Sequence, residues 1–191
     1  MLRALLRCRT AAVIIAAAAA TLIPASAAFA GGNGSTTQTQ HVHGAGAAGI
    51  IVIDFLPQDA PALPAGCWAN PTLAIVSVDG NAVQHVTVNK AQDFWFTSTF
   101  TGDAAVYPVV QPVQFDSDGN VIVDTSGPAL YTGHLTTWFG QEDNKQNGVD
   151  HATVSFHGAD AAGNMVNVNG HVQYATNAAG QPTAQVARVT C

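Results

Sequence analysis

The sequence predicts an all-β protein, an antiparallel meander that forms a barrel, with a two-sheet β-sandwich as the alternative. From Gly49 onward, short runs rich in Val, Ile, Thr, Phe and Tyr alternate with Gly, Asn, Asp and Pro. No segment has the apolar spacing of an amphipathic helix. Consecutive hairpin patterns dominate the C-terminal half, which favours a meander because sequential strands usually pair.

Individual strands are predicted where such runs lie between turn residues. They are Ile50–Leu56, Leu73–Val78, Val83–Val88, Phe94–Phe100, Ala105–Val110, Val113–Phe115, Val121–Asp124, Ala129–Phe139, His151–His157, Met165–Thr176 and Thr183–Thr190. Turns are predicted at sites such as Asp79-Gly80-Asn81 and Thr101-Gly102-Asp103. Residues 48–191 are therefore predicted to form one domain.

Residues 1–30 are predicted to be a secretory signal peptide. A positive leader is followed by the apolar run 11–23, by Pro24 and by the cleavage triplet Ala28-Phe29-Ala30. We therefore expect a secreted protein whose mature chain begins at Gly31. An uncleaved membrane anchor is the alternative, because residues 11–30 are long enough to be considered. No second run of that length follows, so we expect no integral membrane segment after cleavage.

The expected mature chain is acidic. It keeps three basic residues against twelve acidic ones, which gives 3 − 12 = −9. The basic residues are Lys90, Lys145 and Arg188. Phosphate binding requires clustered Lys and Arg, so nucleic acid is excluded as a partner and anionic lipid is disfavoured. The partner is otherwise unknown.

Two cysteines follow the predicted leader, Cys67 and Cys191. In an exported chain they are predicted to form one disulfide, with two free thiols as the alternative. A loop of about 125 residues closed in this way contributes about 4–5 kcal/mol in the chain-entropy model.

Residues 31–47, GGNGSTTQTQHVHGAGA, are predicted to be a disordered N-terminal tail, because they contain almost no apolar side chains. His41 and His43 lie in this segment. Two histidines on a flexible chain can bind zinc or copper weakly, and an ordinary polar tail is the alternative.

A second possible metal site lies in the hairpin formed by His151–His157 and Met165–Thr176. If Phe156 pairs with Val166, the apolar faces coincide and His151 lies opposite His171. Directly opposed Cβ atoms are about 4.5–5.5 Å apart, which is close enough for two imidazoles to share zinc or copper. One allowed register also places His134 beside His157. The alternative is that these histidines belong to a solvated polar face.

Large aromatic side chains predict either a filled core or a cavity for a small apolar ligand. The predicted lining comprises Trp95, Tyr131, His134, Trp138 and Phe139. In an enzyme, a cavity histidine such as His134 would serve as acid or base.

No spacing of Ser, His and Asp specifies a catalytic geometry, so the sequence gives no catalytic residue and an enzyme is not favoured. Gly66-Cys67-Trp68 resembles the Gly-x-Trp motif near the first strand of lipocalins, but the family's other motifs are missing and no family is identified. The sequence best fits a secreted, acidic binding or structural module without a cofactor. The alternatives are a small barrel enzyme or ligand carrier, and a weak zinc or copper binder.

Overall fold

A computed structural model describes residues 35–49, 52–55, 73–89, 91, 93–116, 121–144 and 146–191. The predicted signal peptide and Cys67 lie outside the described residues. The link between Cys67 and Cys191 therefore stays a prediction.

The described chain is almost entirely β-strand, which confirms the predicted all-β class. The strands are β1 (Thr36–Gly44), β2 (Val52–Phe55), β3 (Leu73–Val88), β4 (Phe94–Pro108), β5 (Tyr131–Asp143), β6 (Asn147–Ala159), β7 (Met165–Asn177) and β8 (Pro182–Thr190). A single 3-10 turn, Ala45–Ala47, lies between β1 and β2.

All eight strands belong to one antiparallel sheet with the order β1-β3-β4-β5-β6-β7-β8, and β2 also pairs with β3. From β3 to β8 each strand lies beside its sequence neighbour, as predicted for a meander. Among the described strands, β8 does not pair with β1 or β2. The sheet is therefore open, and the barrel predicted from the sequence is not shown.

Two predicted turns lie inside long strands. Gly80 of β3 and Gly102 of β4 are directly opposite each other, next to a bulge between Ser77 and Asp79. A Cβ on Gly80 would stand 2.5 Å from the carbonyl oxygen of Thr101. The glycines are needed because the two backbones approach closely, and not because the chain reverses. Four predicted strands thus merge into two.

Strand β1 lies inside the segment predicted to be a disordered tail. Thr36 pairs with Val88 and Gly44 with Gly80, along the edge of β3. Thr and Val favour extended backbone, and β1 alternates exposed side chains with half-buried ones such as Gln40 and Val42. Pairing with β3 holds in an extended conformation a segment that has few apolar side chains to bury.

Alternate side chains of the strands form one hydrophobic core. Its fully buried members include Ile75, Phe100, Val106, Leu135, Phe156 and Val168. We call the face that carries this core the inner face and the opposite face the outer face. Burying a side chain such as Phe156 stabilises the fold by about 2–3 kcal/mol, so the alternation fixes which face turns inward.

At one end of the sheet the outer face is also covered. Val109 and Val121 pack against Ala74 of β3 in a second, smaller apolar cluster. Short bridges, Val109 with Val123 and Phe115 with Val121, hold this segment together. The rest of the outer face is not covered by this cluster.

Candidate functional site

The seven histidines all lie on the outer face, because each has the strand parity opposite to the core. They are His41, His43, His85, His134, His151, His157 and His171. The sequence-based interpretation of His151 and His171 as members of a polar face agrees with this placement.

The predicted pairing of His151 with His171 is wrong in register. His151 lies opposite Gln173, and His171 lies opposite Thr153. Phe156 pairs with Val168 and not with Val166, so the register differs by two residues from the predicted one. His151 and His171 are diagonal neighbours, a relation in which Cα atoms lie about 7–8 Å apart.

The predicted relation between His134 and His157 is confirmed, since the two residues are directly opposite on β5 and β6. Both already have hydrogen-bonding partners. His134 Nε2 lies 3.0 Å from Thr101 Oγ1. His157 Nδ1 lies 2.7 Å from Asn167 Oδ1, and its Nε2 lies 3.0 Å from Ser155 Oγ.

His41 and His43 lie on β1, with stacked rings whose centroids are 6.1 Å apart. His43 Nδ1 is 2.7 Å from Asn81 Oδ1. Within the described part of the chain, no three His, Cys, Asp or Glu side chains are grouped so that they could hold a metal ion. A stable metal centre usually has three or four protein ligands. Zinc or copper binding by either histidine pair stays a prediction.

The residues predicted to line a ligand cavity do not share a face. Tyr131 packs against the core on the inner face. Trp95, His134 and Trp138 project from the outer face, and the two tryptophans are 36% and 40% exposed. Phe139 lies on the inner face, opposite Ser98. The structure therefore does not bring these five side chains together around one interior space.

Among the residues that the structure describes, none of the Asp, Glu, Lys or Arg type lies at the centre of the outer face. Three adjacent rows of paired residues cross strands β3–β7 there, and we call them the neutral patch. The rows are Asn81-Thr101-Thr136-Ser155-Asn169, Val83-Thr99-Trp138-Thr153-His171 and His85-Thr97-Gly140-His151-Gln173. In a chain with net charge −6, this surface is instead lined by hydroxyl, amide and imidazole groups.

Trp138 forms the middle of the neutral patch. A Cβ on Gly140 would stand 2.5 Å from Trp138 Cη2, so the benzo end of the indole lies over the glycine backbone. The ring of His151 meets the indole edge-on, with centroids 6.4 Å apart. Gly140 thus provides the space in which the indole lies along the sheet, with 40% of Trp138 exposed.

The inner face has a polar end that was not predicted from the sequence. Gln84 and Ser98 are a directly opposed pair on β3 and β4, and each is 1% exposed. Gln84 Nε2 and Oε1 and Ser98 Oγ have no hydrogen-bond partner among the described residues. The sequence did contain a signal for their burial, because each residue lies two positions from apolar residues that occupy core positions of the same strand.

Asp150 lies one row further along the inner face, opposite Gln141 and Tyr174. Burial raises the pKa of its carboxyl group, and the negative charge of Asp143 raises it further, while His151 partly offsets both effects. A half-buried carboxyl with a perturbed pKa is a common feature of functional sites.

Among the described residues, no helix is long and apolar enough to cross a membrane. Comparison with known proteins finds no matching family model, no matching curated protein and no similar solved structure.

Proposed function

We propose that this chain is an exported binding module whose neutral patch binds a neutral carbohydrate chain. The observation that carries the proposal is the exposed indole of Trp138, which lies on Gly140 within a surface free of Asp, Glu, Lys and Arg. The C–H face of a pyranose ring stacks on an indole. The sugar's hydroxyl groups pair with uncharged donors and acceptors of the kind that surround Trp138.

Charge and size support a carbohydrate over other ligands. A charged ligand would find no opposite charge within the patch, while a purely apolar ligand would remove hydroxyl and amide groups from water at a cost. Five strands at their usual spacing, and three rows along them, give a patch of about 19 Å by 13 Å. This area accommodates several linked sugar rings.

Titration with soluble oligosaccharides tests the proposal. Cellohexaose, chitohexaose and maltohexaose are added separately, and binding is followed by tryptophan fluorescence and calorimetry. We expect at least one to bind saturably to the wild-type protein, and Trp138→Ala to abolish that binding. Phe115→Ala is the matched control, since Phe115 is 53% exposed but lies in the covering segment outside the patch.

Gly140→Ala is a second variant that retains the indole but displaces it, because the new Cβ would meet Trp138 Cη2 at 2.5 Å. We expect affinity to fall about tenfold, the loss of roughly one aromatic contact. Equal binding by wild-type protein and Trp138→Ala would contradict the proposal, as would no binding of any of the three glycans. Unfolding midpoints in urea separate loss of binding from loss of fold.

Export and disulfide formation are further parts of the proposal. The predicted leader and the exported location of the mature chain are supported by the order of residues 1–30. We expect the secreted protein to begin at Gly31 and to have a mass about 2 Da below that of its reduced form, since one disulfide removes two hydrogens. Intact-mass spectrometry with and without reductant measures both. A leader retained in the secreted protein, or no mass change on reduction, would contradict this part.

Closure into a barrel also belongs to the proposal. Open edges invite pairing with other chains, and a chain with few lysines has little charge with which to protect them. In a closed barrel, amides on both edges of β8 exchange slowly with solvent. Hydrogen exchange followed by NMR distinguishes the cases, because in an open sheet only the amides that face β7 are protected.

A further inference from the structure

A second exposed indole lies on the outer face, just beyond the neutral patch. Trp95 is on β4, directly opposite Glu142 of β5, and it is 36% exposed. Trp138 is on the adjacent strand β5, where it pairs with Thr99. The two indoles therefore project from the same side of two neighbouring strands, and one extended ligand can contact both.

The spacing of the two tryptophans follows from the strand register. Trp95 and Thr99, the partner of Trp138, are four residues apart on β4. Four residues along a strand and one strand across separate the Cα atoms of Trp95 and Trp138 by about 14 Å. The indole of Trp138 extends over Gly140, which is two residues nearer to the row of Trp95. The same count gives about 8 Å from Gly140 to Trp95, so the indole of Trp138 lies about 8–14 Å from the Cα atom of Trp95.

The surface between the two tryptophans is low. The intervening outer-face positions of β4 and β5 are Thr97 and Gly140, which are directly opposite each other. Gly140 is buried beneath the indole of Trp138, and Thr97 is half-buried. A ligand that stacks on both indoles can therefore pass between them without meeting a long side chain from these two strands.

Two aromatic contacts on one side of a sheet favour a straight glycan. In an extended β-1,4-linked chain, alternate sugar rings present the same face, and two sugar residues span a length within the range that separates the tryptophans. An α-1,4-linked chain is helical, so its rings turn away from a sheet surface after one contact. A chain that is already straight when free also loses less conformational freedom on binding.

Charge narrows the class of sugar. The rows that form the neutral patch carry no Asp, Glu, Lys or Arg, and Glu142 lies opposite Trp95 at the edge of this surface. A carboxylate accepts hydrogen bonds from sugar hydroxyl groups and repels the carboxylates of acidic sugars. The surface is therefore suited to uncharged sugars such as glucose or N-acetylglucosamine, and not to uronic acids.

We infer that the outer face binds a straight, β-1,4-linked chain of neutral sugars lengthwise along β4 and β5. Trp138 stacks on one ring, and Trp95 stacks on the next ring but one. The inference rests on the proposed carbohydrate binding by the neutral patch, and it adds the linkage, the direction of the chain and a second aromatic contact. Because a third ring separates the two stacked rings, a ligand needs at least three rings to make both contacts.

Cello- and chito-oligosaccharides of two, three and six rings test this inference, with maltohexaose as the helical control. Binding is followed by calorimetry and, for the short chains, by NMR. In the wild-type protein we expect three rings to bind about tenfold more tightly than two, because only the longer chain reaches the second indole. We expect maltohexaose to bind about tenfold more weakly than the better straight hexasaccharide, because it makes one aromatic contact and not two.

Variants of Trp95 isolate the second contact. Trp95→Ala should weaken binding of the straight hexasaccharide about tenfold and remove the gain in affinity between two and three rings. Trp95→Phe should retain part of that gain, since an aromatic ring remains. Phe115→Ala, which truncates an exposed aromatic residue of the covering segment, should change neither. Unfolding midpoints in urea show whether each variant is folded.

The outcomes separate this inference from the proposed function. Unchanged affinity in Trp95→Ala, or equal binding of maltohexaose and the straight hexasaccharides, would overturn the inference. The proposed carbohydrate site would still stand in both cases, provided that Trp138→Ala abolishes binding. A protein that binds none of these glycans would contradict the proposed function and this inference with it.

Discussion

The two faces of the sheet are built from the same strands but differ in how strictly each position is specified. Along β5, Leu135 and Thr137 point inward and are buried, while Thr136 and Trp138 point outward and are exposed. The inner face must fill space, so a change in shape there alters packing. The outer face must only remain soluble, so its residue types are free to serve binding. An uncharged patch on the outer face therefore carries information about function that a buried core does not.

The largest expected contrast between the faces is in stability. Phe156→Ala removes a fully buried side chain and leaves a cavity in the core. We expect the free energy of unfolding to fall by about 3–5 kcal/mol, because the surrounding residues fill this cavity only in part. Thr153→Ala, at an exposed outer position of the same strand, should change stability by less than about 0.5 kcal/mol. Urea unfolding of both variants measures the difference. Similar losses would show that the outer face is also packed.

A polar core position provides a sharper test, with the opposite sign. Gln84→Leu replaces a buried amide, which forms no hydrogen bond within the described part of the chain, with an apolar group of similar size. We expect the ligand-free protein to gain about 1–3 kcal/mol, because the desolvation cost is removed. Gln173→Leu on the outer face is the matched control and should be close to neutral. A destabilised Gln84→Leu would indicate that the amide is already satisfied in the folded protein.

The pH dependence of stability provides a third test. The raised pKa of Asp150 means that the folded protein resists ionisation of this carboxyl more than the unfolded chain does. The ionised carboxyl of Asp150 therefore lowers the free energy of unfolding. The penalty is absent below the ordinary aspartate pKa of 3.8 and grows as the pH rises through the raised value.

Asp150→Asn should accordingly stabilise the protein at neutral pH and have little effect in acid. Added salt should reduce only the part of the gain that comes from Asp143, because burial is not screened. Thermal unfolding across pH 3–8 at two salt concentrations measures both. A gain in stability that is constant over this pH range would contradict a raised pKa of Asp150.

The smallest expected effect concerns metal binding on the outer face. If the predicted zinc or copper site is present, metal titration should perturb the NMR signals of His151 and His171 together. The diagonal relation of these residues makes weak binding at best the expected result. Independent responses of the two histidines would contradict a shared metal site. The signals of His41 and His43, whose stacked rings have centroids 6.1 Å apart, are followed in the same titration for comparison.

Sequence periodicity was sufficient to locate strands β2–β8 but not to fix their register. Burial requires only that apolar faces coincide, which every second register allows, so the predicted pairing of Phe156 was displaced by two residues. Gly80 and Gly102 were interpreted as turn residues because sequence does not distinguish a glycine in a turn from one between close backbones. Strand β1 was missed because its order comes from pairing with β3.

The candidate sites were harder to predict because they depend on which strands are adjacent. The neutral patch is visible only when residues from five strands are read across the sheet. No site was predicted at Gln84 and Ser98, although strand parity places both inside. The outer position of Trp138 follows from the same parity, once the core side of β5 is known.

The neighbour-to-neighbour order of the sheet has a consequence for how the protein acquires its structure. From β3 onward every strand pairs with the one that precedes it, and from β5 to β8 each step closes only a short loop. Proteins whose contacts are close in sequence fold faster than those that must join distant segments. The last four strands can therefore assemble hairpin by hairpin, and an unfinished sheet leaves the free edge of its last strand open to self-association.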